Sequence, residues 1–258
     1  MKSINIYNKN KLIMNNKITK KKFLLEGKTK KIYSTENPYE IILHYKDNIT
    51  TFDGLKKELL QDKGILNNEI TTLIFKFLNS CGIKTHFIRK INNREQLCVK
   101  VDMIPLEFVV RNIISGSMSK RLGVKEGTHT KNNNTILEIF YKNDALNDPL
   151  INDHHAVFLG VISYEELNTI NKIILNINNI LKKYFLEKNI FLVDFKIEFG
   201  KNEKNQILLS DEISPDTCRF WDKKTMKKLD KDLFRIGVVS EEVVLDTYME
   251  VLKRLNVG

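Results

Sequence analysis

The chain has 258 residues, of which 42% are hydrophobic and 29% charged, enough apolar material to fill one large domain or two closely packed lobes, so a disordered chain is excluded. No run of about 18 apolar residues occurs and residues 1–22 are broken by Lys or Asn every few positions, which excludes a membrane span and a secretory segment and leaves a cytosolic chain as the expectation. The formal charge of +10 comes mostly from residues 1–22, with seven lysines and no acid; elsewhere 35 bases face 32 acids, which fits a solvated, disordered extension better than a nucleic-acid-binding arm.

From Phe23 the run FLLEGKTKKIYST, a turn at Glu36-Asn37-Pro38 and the alternating EIILHYK predict a β-hairpin. Gly27-Lys28-Thr29 is not a Walker loop, because the glycine required five positions before Gly27 is Lys22. Lys28 and Lys30 would share one face of the first strand, either as solvated lysines or as point charges for nucleotide phosphates. Apolar residues at helical spacing predict a helix over 65–80, and THFIRKI and QLCVKVDMI predict two more strands. Pro105 then interrupts the pattern at a junction between lobes.

Beyond Pro105, FVVRNIIS reads as a strand and MSKRL as a helix. Arg111 and Ser115-Gly116-Ser117 between them fit an anion site at a helix start, or an ordinary N-cap serine. A loop containing Asn132 to Asn134 leads to the strand-like LEIFYKND. His154 and His155, being adjacent, point apart and are unsuited to joint metal ligation, which leaves a structural or substrate-proximal role. Leu167, Ile170, Ile174, Ile177, Leu181 and Phe185 fall on one face of a helix over 164–188, and a last helix covers 241–255. Clusters of antiparallel strands separated by helices give an α+β fold in two lobes, 23–104 and 105–258, after the extension 1–22. Cys81, Cys98 and Cys218 form no CxxC pair, which leaves free thiols in place of a zinc site or a disulfide.

The most informative segment is FLVDFKIEFG, residues 191–200. Alternation places Asp194, Lys196 and Glu198 on one face and Val193, Phe195, Ile197 and Phe199 on the other. A short polar turn over 201–205 returns the chain through QILLSDE, bringing Asp211 to the neighbouring strand. Two carboxylates so placed suit Mg²⁺, which keeps waters and phosphates as its other ligands; a plain hairpin with one wet face is the alternative. The following SPDTCRFWD is too rich in specific polar groups for a simple connector.

Taken in order, EGKTKKIYST, TTFDG, DMIPLEFVVRN, SGSMSKRLG, YKNDALNDPLIN, LVDFKIEFG and SDEISPDTCRFWDKKT resemble the phosphoribosylaminoimidazole-succinocarboxamide synthase (SAICAR synthetase) family from about Phe23 to the C-terminus. The resemblance implies a two-lobed fold of mainly antiparallel sheets with flanking helices, an ATP cleft between a small nucleotide lobe and a larger substrate and metal lobe, and a homodimer. It implies ATP- and Mg²⁺-dependent ligation of L-aspartate to the carboxylate of an aminoimidazole ribonucleotide. By similarity Lys28, Thr29, Lys30 and Ile32 would line the ATP site, with Lys100 to Met103 near adenine and Lys142 near the nucleotide. Glu198 and Asp211 would bind magnesium between the phosphates. Arg111, Ser117, Asp216, Arg219 and Arg235 would hold the imidazole nucleotide. Lys196 would stabilise developing negative charge, and Asp194 would orient it or receive the amine proton. A different small-molecule kinase or ligase of this fold, or a nucleic-acid module built on the basic extension, are the competing readings.

Overall fold

Among residues 18–51, 56–130, 134–233 and 240–257, which the computed structural model describes, the chain forms thirteen strands and five α-helices. Arg235, residues 1–17, Asn132 and the Phe52–Gly54 part of the TTFDG motif lie outside these. The first half contains β1 (Phe23–Glu26), β2 (Lys30–Ser34), β3 (Glu40–Tyr45), the short hairpin β4 (Asn48–Thr51) and β5 (Lys56–Leu59), helix α1 (Lys63–Ser80), β6 (Phe87–Asn92) and β7 (Glu95–Val99). The second half contains β8 (Asp102–Arg111), α2 (Gly116–Leu122), β9 (Ile136–Tyr141), β10 (Leu150–Ile151), α3 (Asp153–Phe158), α4 (Tyr164–Glu187), β11 (Ile190–Lys201), β12 (Ile207–Ser210), β13 (Cys218–Asp222) and α5 (Glu241–Asn256).

Two antiparallel sheets dominate. The first has the order β1-β2-β3-β7-β6; the second has the order β10-β9-β8-β11-β12, with β13 also paired to β11. The twelve-residue β11 is central: β8 runs along one edge, while β13 and then β12 share the other. Its apolar side chains Phe195, Ile197 and Phe199 and those of Leu106, Phe108 and Val110 on β8 enter the main core. Helix α4 completes that core with Leu167, Ile170, Ile174, Ile177, Leu181 and Phe185, all buried, each contributing about 1.5–3 kcal/mol. A capping box starts this helix: Ser163 Oγ accepts the Glu166 N–H at 3.2 Å and Glu166 Oε2 accepts the Ser163 N–H at 3.0 Å.

The opposite face of β11 carries Asp194, Lys196 and Glu198, as the alternation predicts, but Val193 does not join Phe195, Ile197 and Phe199: a register irregularity between Leu192 and Asp194 puts Leu192 in the main core and packs Val193 with Ile113 and Trp221 instead. Across the ladder Asp194 faces Arg111, Lys196 faces Val109 and Glu198 faces Glu107. The two sheets are tied where Thr85 bridges Leu209, with the His86 N–H on the Leu209 carbonyl at 2.8 Å and the Leu209 N–H on the Lys84 carbonyl at 3.0 Å. That seam brings the end of β12, and with it Asp211, toward the first sheet.

Three expectations need correction. The run from Phe23 to Thr35 is two strands, because the chain turns at Gly27–Thr29 and β1 folds back on β2; Lys28 lies in that turn and shares no strand face with Lys30. Pro105 lies inside β8, so the expected 104/105 junction falls within a strand. Its missing N–H coincides with the irregular register between Glu198 and Gly200, while its carbonyl still accepts the Lys142 N–H at 3.0 Å. Lys21 and Lys22, assigned to the disordered extension, run beside β2, where the Lys21 N–H meets the Ser34 carbonyl and the Ser34 N–H meets the Lys22 carbonyl, both at 2.9 Å. The histidine pair, for which a structural role was one of the two expected, makes structural contacts at the start of a helix: His155 closes the capping box of α3 with Asn152, and His154 Nδ1 lies 2.7 Å from the Tyr164 hydroxyl.

Candidate active site

A cavity of about 480 Å³ lies against the first sheet. Leu25, Ile32, Ile41, Leu43, Val101 and Met103 supply an apolar wall suited to a flat base, and Lys28, Lys30, Lys142 and Lys196 supply cations suited to phosphates. Each cation is held by an acid. Lys28 Nζ donates to Asp144 Oδ1 at 2.8 Å, Lys30 Nζ contacts Asp211 at 2.5 Å and Glu212 at 2.6 Å, and Lys142 Nζ donates to Glu198 Oε2 at 2.6 Å. Lys196 Nζ donates to Glu107 Oε1 at 2.7 Å and Glu198 Oε1 at 2.9 Å.

Local backbone explains the convergence. Consecutive strand residues point to opposite faces, but Asp211 adopts φ 62°, which breaks the alternation and lets both Asp211 and Glu212 reach Lys30. Burial alone would lower the Lys30 pKa, yet Asp211 and Glu212 hold its ammonium well above the ordinary lysine range. Burial would likewise raise Asp211, but Lys30 and Lys196 hold that carboxyl well below the carboxylate range. Lys196 behaves as Lys30 does, with burial opposed and outweighed by Glu198, Asp211 and Glu107.

A second cavity, of about 300 Å³, has a different chemistry: Arg111, Ser117, Asp194, Pro215, Cys218 and Arg219 line it. Both arginines grip Asp194. Arg111 Nη1 donates to Asp194 Oδ2 at 3.0 Å and Arg219 Nη1 to the same oxygen at 2.9 Å. Their remaining donors are fixed as well, Arg111 on Glu138 (3.0 and 2.8 Å) and Arg219 on Asp232 (2.6 and 3.3 Å). Gly116, with φ 58°, packs beneath the Arg219 guanidinium; a Cβ there would lie 2.5 Å from Nη2, so only glycine fits. The two cavities adjoin and share Lys196, Asp216, Thr217 and Lys231 in their linings.

The sequence matches the model of the SAICAR synthetase family over residues 23–254. The chain belongs to the SAICAR synthetase family. It is 58% identical over 237 residues to phosphoribosylaminoimidazole-succinocarboxamide synthase of Fusobacterium nucleatum, covering 92% of this chain and 98% of that protein. Its fold is similar to the crystal structure of the same-named synthase from Ehrlichia chaffeensis, with a TM-score of 0.87, 45% identity and coverage of 92% of this chain and 99% of the other. It is also similar to a SAICAR synthetase (Type-2) in complex with ADP, with a TM-score of 0.86, 46% identity and coverage of 91% and 97%.

Within this SAICAR synthetase fold, Lys28, Thr29, Lys30, Ile32, Met103, Lys142, Glu198 and Asp211 all line the larger cavity, and Arg111, Ser117, Asp194 and Arg219 line the smaller. Three residues depart from expectation. Lys100 is exposed and lines neither cavity; Val101 and Met103 face the larger one instead. Asp194 does not orient Lys196, whose hydrogen-bonded carboxylates are Glu107 and Glu198; it anchors the two arginines. The Asp216 carboxylate is engaged from behind by Lys63, by Asn67 Nδ2 at 2.8 Å and by the Tyr248 hydroxyl at 2.8 Å. Sequence reasoning missed the holding acids Glu107, Glu138, Glu212 and Asp232. For Glu107 a signal existed, since alternation along β8 puts it on the same face as Arg111. His86, buried against the larger cavity with Nε2 unpartnered and its pKa lowered by burial to about 4, was also missed.

Proposed function

We propose that the chain ligates L-aspartate to the carboxylate of 5-amino-1-(5-phospho-D-ribosyl)imidazole-4-carboxylate, converting ATP to ADP and phosphate, in the purine pathway of the cytosol. The observation that carries this reading is the position of Lys196 in the linings of both cavities, one with an apolar wall and lysines that suit a base and phosphates, the other with two arginines that suit an anionic nucleotide.

A carboxylate is a poor acyl donor. It takes the γ-phosphoryl group of ATP, ADP leaves, the amine of L-aspartate attacks the acyl carbon, the carbon–oxygen bond to phosphate breaks and the amine gives up a proton. Lys28, Lys30 and Lys142 take the phosphate oxygens as point charges. Lys196, at the junction, stabilises the charge that develops on the transferring group and on the acyl oxygen. Arg111 and Arg219, held in fixed orientation by Asp194, Glu138 and Asp232, present the imidazole nucleotide, with Ser117 beside them and Arg235 as the family's further contact. No serine or cysteine nucleophile is required.

Among the described residues no group of three or more His, Cys, Asp or Glu forms a protein-only metal site. Mg²⁺ needs only one or two protein carboxylates, and the hard oxygens of Glu198 and Asp211 in the larger cavity would hold it. Lys30 and Lys142, which pair with those acids, would turn to phosphate oxygens instead. When bound, the ion would supply neutralisation of phosphate charge. The homodimer that the family resemblance implies is part of this proposal, and light scattering at twice the monomer mass tests it.

The experiment is coupled detection of ADP and phosphate. Release should require the imidazole carboxylate nucleotide and L-aspartate together; turnover with a different acid or amine in place of either would replace this reading with another ligase or kinase of the fold.

A further inference from the structure

We infer that Lys63 and Tyr248 are positioning residues of the active cleft, and that the C-terminal helix α5 is thereby part of the apparatus that places Lys196. The inference rests on the ligase reading above and concerns residues on two helices that lie behind the site.

Residues 211–217 form the loop between β12 and β13, and Asp216 and Thr217 from it line both cavities. The Thr217 carbonyl accepts the Lys196 backbone N–H at 2.8 Å, so displacement of this loop displaces Lys196. The loop is in turn held by its own interior side. Asp216 Oδ2 is engaged by the ammonium of Lys63 in the first turn of α1 and by Asn67 Nδ2, and its Oδ1 accepts the hydroxyl of Tyr248 on α5. Thr71 Oγ1, further along α1, donates to the Ile213 carbonyl at 3.2 Å.

Burial makes these contacts specific. Lys63 and Tyr248 are each 0% exposed, so neither has water as an alternative partner. Burial and the neighbouring Asp216 push the Tyr248 phenol well above its ordinary range, which keeps it a donor. Burial would raise the Asp216 carboxyl, but Lys63 holds it below the carboxylate range and hence charged. An ion pair with two neutral donors, closed off on the side of the two helices, fixes one loop geometry and leaves little latitude for others. Helix α5 therefore touches the cleft loop directly through the Tyr248 hydroxyl.

The test compares the full chain with Tyr248→Phe, which keeps the buried ring, and with Lys63→Met. Tyr248→Phe should lower kcat for ligation about tenfold, the loss of one hydrogen bond to a charged group, while ADP affinity stays within about twofold. Hydrogen exchange of the amides at 214–217 should quicken in the same variant, and Lys63→Met should act in the same direction more strongly. A merely structural role would lower the melting temperature and weaken ADP and both substrates alike. Unchanged kcat and unchanged exchange in Tyr248→Phe, or an equal loss of ADP affinity, overturns the inference. If the wild-type chain releases no phosphate with both substrates present, the ligase reading fails instead, and the exchange measurement still decides whether Tyr248 holds the loop.

Discussion

The two cavities solve the same problem with different cations. Every assigned lysine of the larger cavity sits on a carboxylate through one compact ammonium, and Lys28 and Lys142 are accessible enough to exchange that carboxylate for a phosphate oxygen. The arginines of the smaller cavity are held through several donors each, by acids that are themselves buried, so their planes are set before a substrate arrives. The larger cavity is therefore built to exchange partners, and the smaller to keep a fixed geometry. Lys196, bracketed by Glu107 and Glu198 in both linings, is where the two designs meet.

That contrast can be broken at several points. The largest effect is expected for Lys196→Met, a loss of about 100- to 1,000-fold in kcat with ADP binding retained, because only the transition state needs the charge; steady-state phosphate release and ADP calorimetry check it. Asp211→Asn should cost about 10- to 100-fold and move the magnesium dependence of ADP binding to higher concentration, and near-normal behaviour would remove Asp211 from the metal site. Arg219→Lys should lower kcat/KM for the imidazole nucleotide about tenfold without changing ADP affinity, since a point charge cannot replace the fixed fork; an equal loss toward ADP would erase the distinction between the cavities. Lys28→Ala should weaken ATP binding several-fold, about a kcal/mol, and leave the melting temperature unchanged, because its partner Asp144 is exposed.

Acid should have the smallest effect near neutrality. Asp211 and Asp216 have folded pKa values depressed below the unfolded carboxylate value of about 3.9, so their contribution to stability is full above that value and is lost as pH falls through the folded pKa values. The stability these two carboxylates supply should therefore hold from pH 7 to about pH 4 and drop below it, less steeply in Asp211→Asn, while buried His86, with a folded pKa of about 4, adds a loss that begins as pH falls below the unfolded histidine value of about 6.5.

Much of this was legible in the sequence, for a physical reason. Period-two alternation in 191–200 assigns Asp194, Lys196 and Glu198 to one face whatever the rest of the fold does, and the polar turn after it brings Asp211 alongside. Helix α4 announced itself by steps of three and four. What escaped was set by tertiary context. The turn at Gly27–Thr29 interrupts a run whose pattern reads as continuous strand, and Pro105 is tolerated in β8 because β8 carries extra residues there, between its partners of Glu198 and Gly200, where the missing N–H breaks no regular ladder. The part played by Asp216 depends on Lys63, 153 residues away, and on Tyr248, one polar tip on an otherwise apolar helix face, and no local pattern marks such a contact.

A crystal structure of the chain with ADP, Mg²⁺ and the imidazole carboxylate nucleotide would test the central claim most directly. The account predicts the diphosphate beside Lys28 and Lys30, the ribotide phosphate toward Arg111 and Arg219, and the imidazole carboxylate within hydrogen-bond reach of Lys196 Nζ. A ribotide lodged elsewhere, or a carboxylate turned away from Lys196 toward solvent, would contradict it.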